Sequence, residues 1–113
     1  MSLRSLRSGT LAALAFAVAA TAHADPPKNL KVLPPTLTKD ELKRTMREQA
    51  KALDVDCDYC HDMPDMASDK LDKKLIAREM MKMTIEINSR WLKGKPKHPV
   101  TCATCHRGKA IPE

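Results

Sequence analysis

A pentapeptide pattern that occurs twice, at residues 57–61 and 102–106, constrains this chain more than any other feature. Each copy has two cysteines three positions apart and a histidine directly after them, which is the attachment signature of c-type haem. Each cysteine sulfur bonds one haem vinyl group, and the histidine binds the iron. The sequence therefore predicts two covalent haem c groups. The predicted thioether residues are Cys57, Cys60, Cys102 and Cys105, and the predicted proximal iron ligands are His61 and His106.

Three other uses of four cysteines explain this pattern less well. A four-cysteine zinc site leaves both histidines without a role, and the 41 residues between Cys60 and Cys102 are about twice the separation usual in a zinc ribbon. Two disulfides would need no histidine at a fixed place. A thioredoxin-like redox pair needs a βαβ context, and the sequence shows no strand pattern.

The first 24 residues have the pattern of a bacterial signal peptide. Arg4 and Arg7 form the positive start, residues 11–20 form an apolar run, and Ala22-His23-Ala24 forms a small-residue cleavage site. The apolar run is shorter than the roughly 20 residues that a membrane span needs. We therefore expect cleavage after Ala24 and export to the periplasm, with an uncleaved anchor as the alternative.

Composition limits what residues 25–113 can fold around. Tyr59 and Trp91 are the only aromatic residues in this part of the sequence, and small domains usually need a metal, a disulfide or a comparable staple. Two large apolar haems would form that core. Without Arg4 and Arg7 the chain has 18 basic and 14 acidic side chains, a net charge of +4. Four haem propionates bring this charge close to zero, so we expect no nucleic-acid partner.

The sequence divides into the signal peptide 1–24, a proline-rich extended arm at 25–37 and a dihaem cytochrome c domain at 38–113. The domain is predicted to be mainly α and to consist of two helix–turn–CxxCH units around the covalent haems.

Helix signals support this architecture. Residues 38–41, Thr-Lys-Asp-Glu, have the spacing of a capping box that opens the first helix. Its apolar face should extend to about Leu53. Ser68 or Asp69 is predicted to cap a second, longer helix that ends at Gly94.

Each helix can also offer a second iron ligand to the haem of its own unit. In the first helix Met46 is the one sulfur on the apolar face. One turn of the second helix holds three methionines, Met80, Met81 and Met83, of which Met81 lies off the stripe that the other two share. His98, in the following loop, is a rival. From the residues alone, Met80 and Met83 both remain candidates.

Together with Met46, four segments of the sequence resemble parts of a known protein family. They are ALDVDCDYCH at 52–61, ASD at 67–69, MTIEIN at 83–88 and TCATCHRG at 101–108. These segments resemble the haem-binding segments of the tetrahaem cytochrome subunit of photosynthetic reaction centres. That family repeats a helix, a turn and CxxCH, and in most units takes a helical methionine as the sixth iron ligand.

The resemblance implies Met46 as the ligand of the first haem. It favours Met83 over Met80 for the second, because Met83 stands five positions before Asn88 as the family's helical methionine does. The chain departs from the family in having two motifs instead of four, and in having Asp54 where glycine is usual.

A haem held between histidine and methionine has no vacant position, and this ligation favours electron transfer over substrate chemistry. We therefore expect a periplasmic electron carrier that is not an enzyme, has no small-molecule substrate and exchanges electrons with redox partner proteins. Two alternatives remain. One is a dihaem enzyme of the peroxidase type; the other is an electron-transfer subunit of a membrane complex or a self-associating cytochrome polymer.

Overall fold

The computed structural model describes residues 25–95 and 97–113, and the predicted signal peptide lies outside them. The elements are α1 at Lys39–Leu53, a 3₁₀ turn at Cys57–Tyr59, α2 at Asp72–Glu86, a π-helical turn at Ile87–Trp91 and α3 at Cys102–His106. The described residues contain no β-strand, and their one isolated bridge joins Asp62 to Asp65. The prediction of a mainly α fold is confirmed.

α1 begins and ends as its sequence indicates. The Thr38 N–H donates to a Glu41 carboxylate oxygen at 2.8 Å, and the Glu41 N–H donates to the Thr38 hydroxyl oxygen at 3.3 Å, so the predicted capping box is present. The Thr38 N–H and the Thr38 hydroxyl both donate to the Glu41 carboxylate, and these two bonds lower the pKa of the Glu41 carboxyl. The helix ends at Leu53, and the next residue, Asp54, has a left-handed φ of 54°. A short polar side chain tolerates this conformation better than a branched one, so aspartate can replace the glycine usual in the resembling family.

α2 starts later than predicted, and the proposed cap is wrong. Leu71 precedes the helix and makes no side-chain cap. The Ser68 hydroxyl instead accepts from the Lys70 N–H at 3.2 Å, and the Asp69 carboxylate binds the Arg78 guanidinium at 2.8 Å. Partners outside the first turn therefore occupy both oxygens that were expected to cap it.

The C-terminal part of the second helix also differs from the prediction. The α-helix ends at Glu86, and the backbone widens into the π-helical turn before it reaches Gly94. Gly94 has a φ of 81°, a left-handed conformation that glycine adopts without steric cost. Gly94 thus lies at the turn after the helical segment, but the α-helix itself ends at Glu86, before the π-helical turn.

The described polypeptide buries very little apolar surface by itself. Ala52 is its one buried residue, at 7% exposure. Large apolar side chains lie exposed along α2 and the π-helical turn, including Leu75, Ile76, Met80, Met83 and Trp91. α1 and α3 pack against each other, and the Gly108 N–H donates to the Ala52 carbonyl oxygen at 2.8 Å. The helix of the first unit therefore supports the motif of the second.

Candidate haem-attachment sites

The first CxxCH motif is arranged by the 3₁₀ turn. The His61 N–H donates to the Cys57 carbonyl oxygen at 3.0 Å, which holds the histidine one turn beyond the first cysteine. Both thiols are free, with Cys57 exposed and Cys60 half-buried. Burial raises the pKa of the Cys60 thiol, and the Lys73 ammonium opposes this rise. The turn therefore gathers the two sulfurs and the imidazole into one short surface segment.

The second motif forms α3. The Thr101 N–H donates to the Thr104 hydroxyl oxygen at 2.9 Å, which closes the start of this short helix. Cys102 is half-buried and Cys105 is exposed, so the order of exposure is the reverse of that in the first motif. Burial raises the pKa of the Cys102 thiol.

Both histidine rings make the same hydrogen bond. Nδ1 of His61 lies 2.9 Å from the Met66 carbonyl oxygen, and Nδ1 of His106 lies 2.8 Å from the Lys109 carbonyl oxygen. A carbonyl oxygen can only accept, so these contacts place the ring proton on Nδ1 and leave the lone pair of Nε2 for a metal. Metal-binding histidines commonly have such a partner, which fixes the tautomer and the ring orientation.

The residues present fit covalent haem. Each motif combines two free thiols with an imidazole. The carbonyl partner of each imidazole binds Nδ1, so the Nε2 lone pair is left for a metal. The exposed apolar residues of α2 add a surface against which a large flat apolar group can pack. Cys57 and Cys60 with His61 would hold one haem, and Cys102 and Cys105 with His106 the other.

The structure places the candidate sixth ligands on the helices before each motif. Met46 is half-buried on α1, whereas Met80 and Met83 are exposed on α2. The Met81 sulfur accepts a hydrogen bond from the Gln49 side-chain amide at 3.2 Å, which gives it a partner on α1. His98 is exposed in the loop before α3. The assignment of Met46 and Met83 stays a prediction.

Two groups of positioning residues were not identified from the sequence. Asn88 forms a two-bond clamp with the Val100 backbone, donating to its carbonyl oxygen at 2.7 Å and accepting from its N–H at 2.8 Å. This clamp closes the loop that leads to the second motif. The segments that carry the family resemblance include Asn88, but neither helix periodicity nor metal-ligand spacing points to such a role.

The other group surrounds Asp69, behind the first motif. The Asp69 carboxylate binds the Arg78 guanidinium at 2.8 Å, the Asn29 amide at 2.9 Å and the Lys74 ammonium at 3.3 Å. The Arg78 and Asn29 hydrogen bonds, the largest causes, hold the pKa of this carboxyl far below its usual range. Asn29 also donates to the Ala67 carbonyl oxygen at 2.6 Å and thus ties the N-terminal arm to the loop after the motif.

Comparisons with known proteins agree with the motif reading. The family model described as "Photosynthetic reaction centre cytochrome C subunit" matches residues 11–113. The photosynthetic reaction center cytochrome c subunit of Roseobacter denitrificans is 36% identical over 93 residues, which cover 75% of this chain and 25% of that protein.

Shorter matches point the same way. The photosynthetic reaction center cytochrome c subunit of Rubrivivax gelatinosus is 39% identical over 57 residues, or 50% of this chain and 15% of that protein. Cytochrome c-554 of Chloroflexus aurantiacus is 38% identical over 58 residues, or 49% of this chain and 14% of that protein. The chain thus spans a quarter or less of the length of these relatives.

Proposed function

Since the chain belongs to the photosynthetic reaction centre cytochrome c subunit family, we propose that it is an electron-transfer protein carrying two covalent haem c groups. The main support for this proposal is that the same site geometry occurs in both motifs. In each motif two free thiols precede a histidine whose Nδ1 is bound to a backbone carbonyl oxygen. A four-cysteine zinc site would leave both of these histidine bonds without a purpose.

The chain's own residues perform three tasks in this proposal. The cysteines fix each haem to a short, hydrogen-bonded backbone segment. His61 and His106 present Nε2 to the iron, and the carbonyl partner of Nδ1 keeps each ring from rotating. When bound, each haem supplies an iron centre that accepts and releases one electron.

Met46 and Met83 complete the proposal as the sixth ligands, with Met80 as the alternative for the second haem. A methionine sulfur favours the reduced iron and closes the last coordination position. This closed ligation supports a carrier rather than a peroxidase-type enzyme, which needs an open iron. The electron donor and acceptor are proposed to be redox partner proteins. The proposed compartment is the periplasm, which the chain would reach after cleavage of the signal peptide after Ala24.

A subunit of a membrane complex is the second candidate function. The names of the relatives described above favour it, because two of those three are photosynthetic reaction center cytochrome c subunits. Within residues 25–95 and 97–113, no helix is both long and apolar enough to cross a membrane. The two candidates differ in the native mass of the purified protein, since a carrier should migrate alone and a subunit should migrate with its complex.

The haem count tests the proposal directly. The full chain is produced in a bacterium with haem c maturation machinery, and its intact mass is measured under denaturing conditions. We expect the polypeptide mass plus two haems. A matched variant with Cys102→Ser and Cys105→Ser should keep one haem, bound at the first motif. One zinc per chain without haem absorbance would refute the proposal.

A further inference from the structure

One carbonyl oxygen joins the first histidine to a lysine. The Met66 carbonyl oxygen lies 2.9 Å from His61 Nδ1 and also 2.9 Å from the Lys74 ammonium nitrogen. Since the oxygen has two lone pairs, it can accept from both groups at once. The ring that is proposed to bind the first iron therefore shares its backbone partner with a full positive charge.

The Lys74 ammonium is held firmly at this position. It also donates to the Ser68 carbonyl oxygen at 2.7 Å and lies 3.3 Å from Asp69, so its three hydrogen atoms all have acceptors. Its side chain is only 12% exposed, which limits the screening of its charge by water.

The charges around Lys74 do not cancel. Asp69 is shared between Lys74 and the equally shielded Arg78, whose side chain is also 12% exposed. Two cations thus face one carboxylate. On the adjoining loop Lys70 and Asp62 pair at 3.3 Å with side chains 70% and 37% exposed, and add no net charge. Lys74, Arg78 and Asp69 together therefore carry a net charge of +1. The loop also holds the Asp65 carboxylate, which accepts from the Ala67 N–H at 3.2 Å, and the Lys73 ammonium lies over the Tyr59 ring of the first motif.

The second motif lacks this arrangement. His106 Nδ1 contacts the Lys109 carbonyl oxygen at 2.8 Å, and among the described residues no side-chain cation shares that oxygen. The Lys109 ammonium pairs with the Glu113 carboxylate instead. The two histidines therefore have the same backbone partner in different electrostatic surroundings.

From this asymmetry we propose that Lys74 is a positioning residue that raises the reduction potential of the first haem relative to the second. The hydrogen bond from Nδ1 to a carbonyl makes an imidazole a more basic ligand, which favours oxidised iron. An ammonium on the same oxygen withdraws electron density and weakens that effect. Its positive charge also disfavours the additional charge of the oxidised centre. Both effects act in the same direction.

This inference rests on the proposed function, and a redox titration of the holoprotein separates the two. The probe is the visible spectrum during the titration of wild type, Lys74→Gln and Lys74→Arg. The haem of the first motif is assigned by magnetic resonance contacts with Tyr59, the one tyrosine of the chain. Lys70→Gln is the matched control, because it removes one exposed positive charge from the same region.

We expect Lys74→Gln to shift the first haem to a lower potential and to leave the second unchanged. Lys74→Arg retains the charge and should stay close to wild type. Lys70→Gln should shift the first haem much less than Lys74→Gln. An unchanged circular dichroism spectrum in the haem region would show that both iron ligands remain in place.

Three results would overturn the role of Lys74. Lys74→Gln could leave both potentials unchanged, it could move both haems equally, or Lys74→Arg could shift the first haem as far as Lys74→Gln does. A wild-type protein that fails to titrate as two haems would contradict the proposed function instead.

Discussion

The two CxxCH units differ most in the forces that hold them. Behind the first motif, Lys74 and Arg78 both pair with Asp69, and Lys74 also donates to the Met66 and Ser68 carbonyl oxygens of the loop, so that a charged group fixes the partner of His61. Behind the second motif, the neutral Asn88 clamps Val100, and the Gly108 N–H binds the end of α1. The same ligand chemistry is thus supported by charge in one unit and by neutral hydrogen bonds in the other.

We expect the largest effect when the proposed sixth ligands are removed. This experiment tests whether the two units are equivalent in that ligand. Met46→Ala should open the first iron, lower the potential of that haem and allow it to bind carbon monoxide, because no sulfur then closes the coordination shell. Met83→Ala should do the same at the second haem. Visible spectra under carbon monoxide should show one reactive haem of two in either variant.

Met81→Ala is the control for this experiment, since the Met81 sulfur already accepts from Gln49. It should leave both irons closed. If Met80→Ala opens the second haem and Met83→Ala leaves it closed, the family-based choice of Met83 is wrong by about one helical turn. If neither variant opens it, His98 becomes the expected ligand.

Asn88→Ala should have the next largest effect and should reveal the neutral support of the second unit. The change leaves the half-buried N–H and carbonyl groups of Val100 without their partners. We expect a loss of about 1–3 kcal/mol in the free energy of unfolding, measured by urea denaturation of the holoprotein. Ser89→Ala, at an exposed neighbour, is the control. Equal stability of the two variants would show that the clamp is dispensable.

Thr38→Ala should have a smaller effect on stability and should show whether the two units are coupled. It removes the capping box of α1, and the loss of such a cap costs about 1 kcal/mol. Because α1 packs on α3, hydrogen exchange should increase in α3 as well as in α1. Thr36→Ala, in the exposed turn before the helix, should change neither. Increased exchange confined to α1 would mean that the two units are independent.

Acid pH should give the smallest effect and should act on the first unit. The pKa of Asp69 is lower in the folded protein than its usual value. Its contribution to stability is therefore full above the unfolded pKa of about 4 and is lost as the pH falls below that value. Urea midpoints measured between pH 7 and pH 3 should fall further for wild type than for Asp69→Asn. A parallel decline would assign the acid sensitivity to other carboxylates, such as Glu41.

The sequence alone determined the features that depend on short spacings. The CxxCH motifs, the mainly α fold and the capping box of α1 could be predicted because covalent chemistry and the first turn of a helix involve neighbouring residues. The family resemblance, confirmed by the comparisons, likewise lay in short segments around the motifs.

The tertiary structure decided what supports those motifs. The start of α2 was placed too early because Asp69 binds Arg78 and Asn29, which are 9 and 40 residues away from it along the chain. The Met66 carbonyl shared by His61 and Lys74, and the contact of α1 with α3, also join residues from different elements. Local patterns identify the atoms that can hold a haem, but the electrostatic difference between the two sites arises only when the folded chain brings distant charges together.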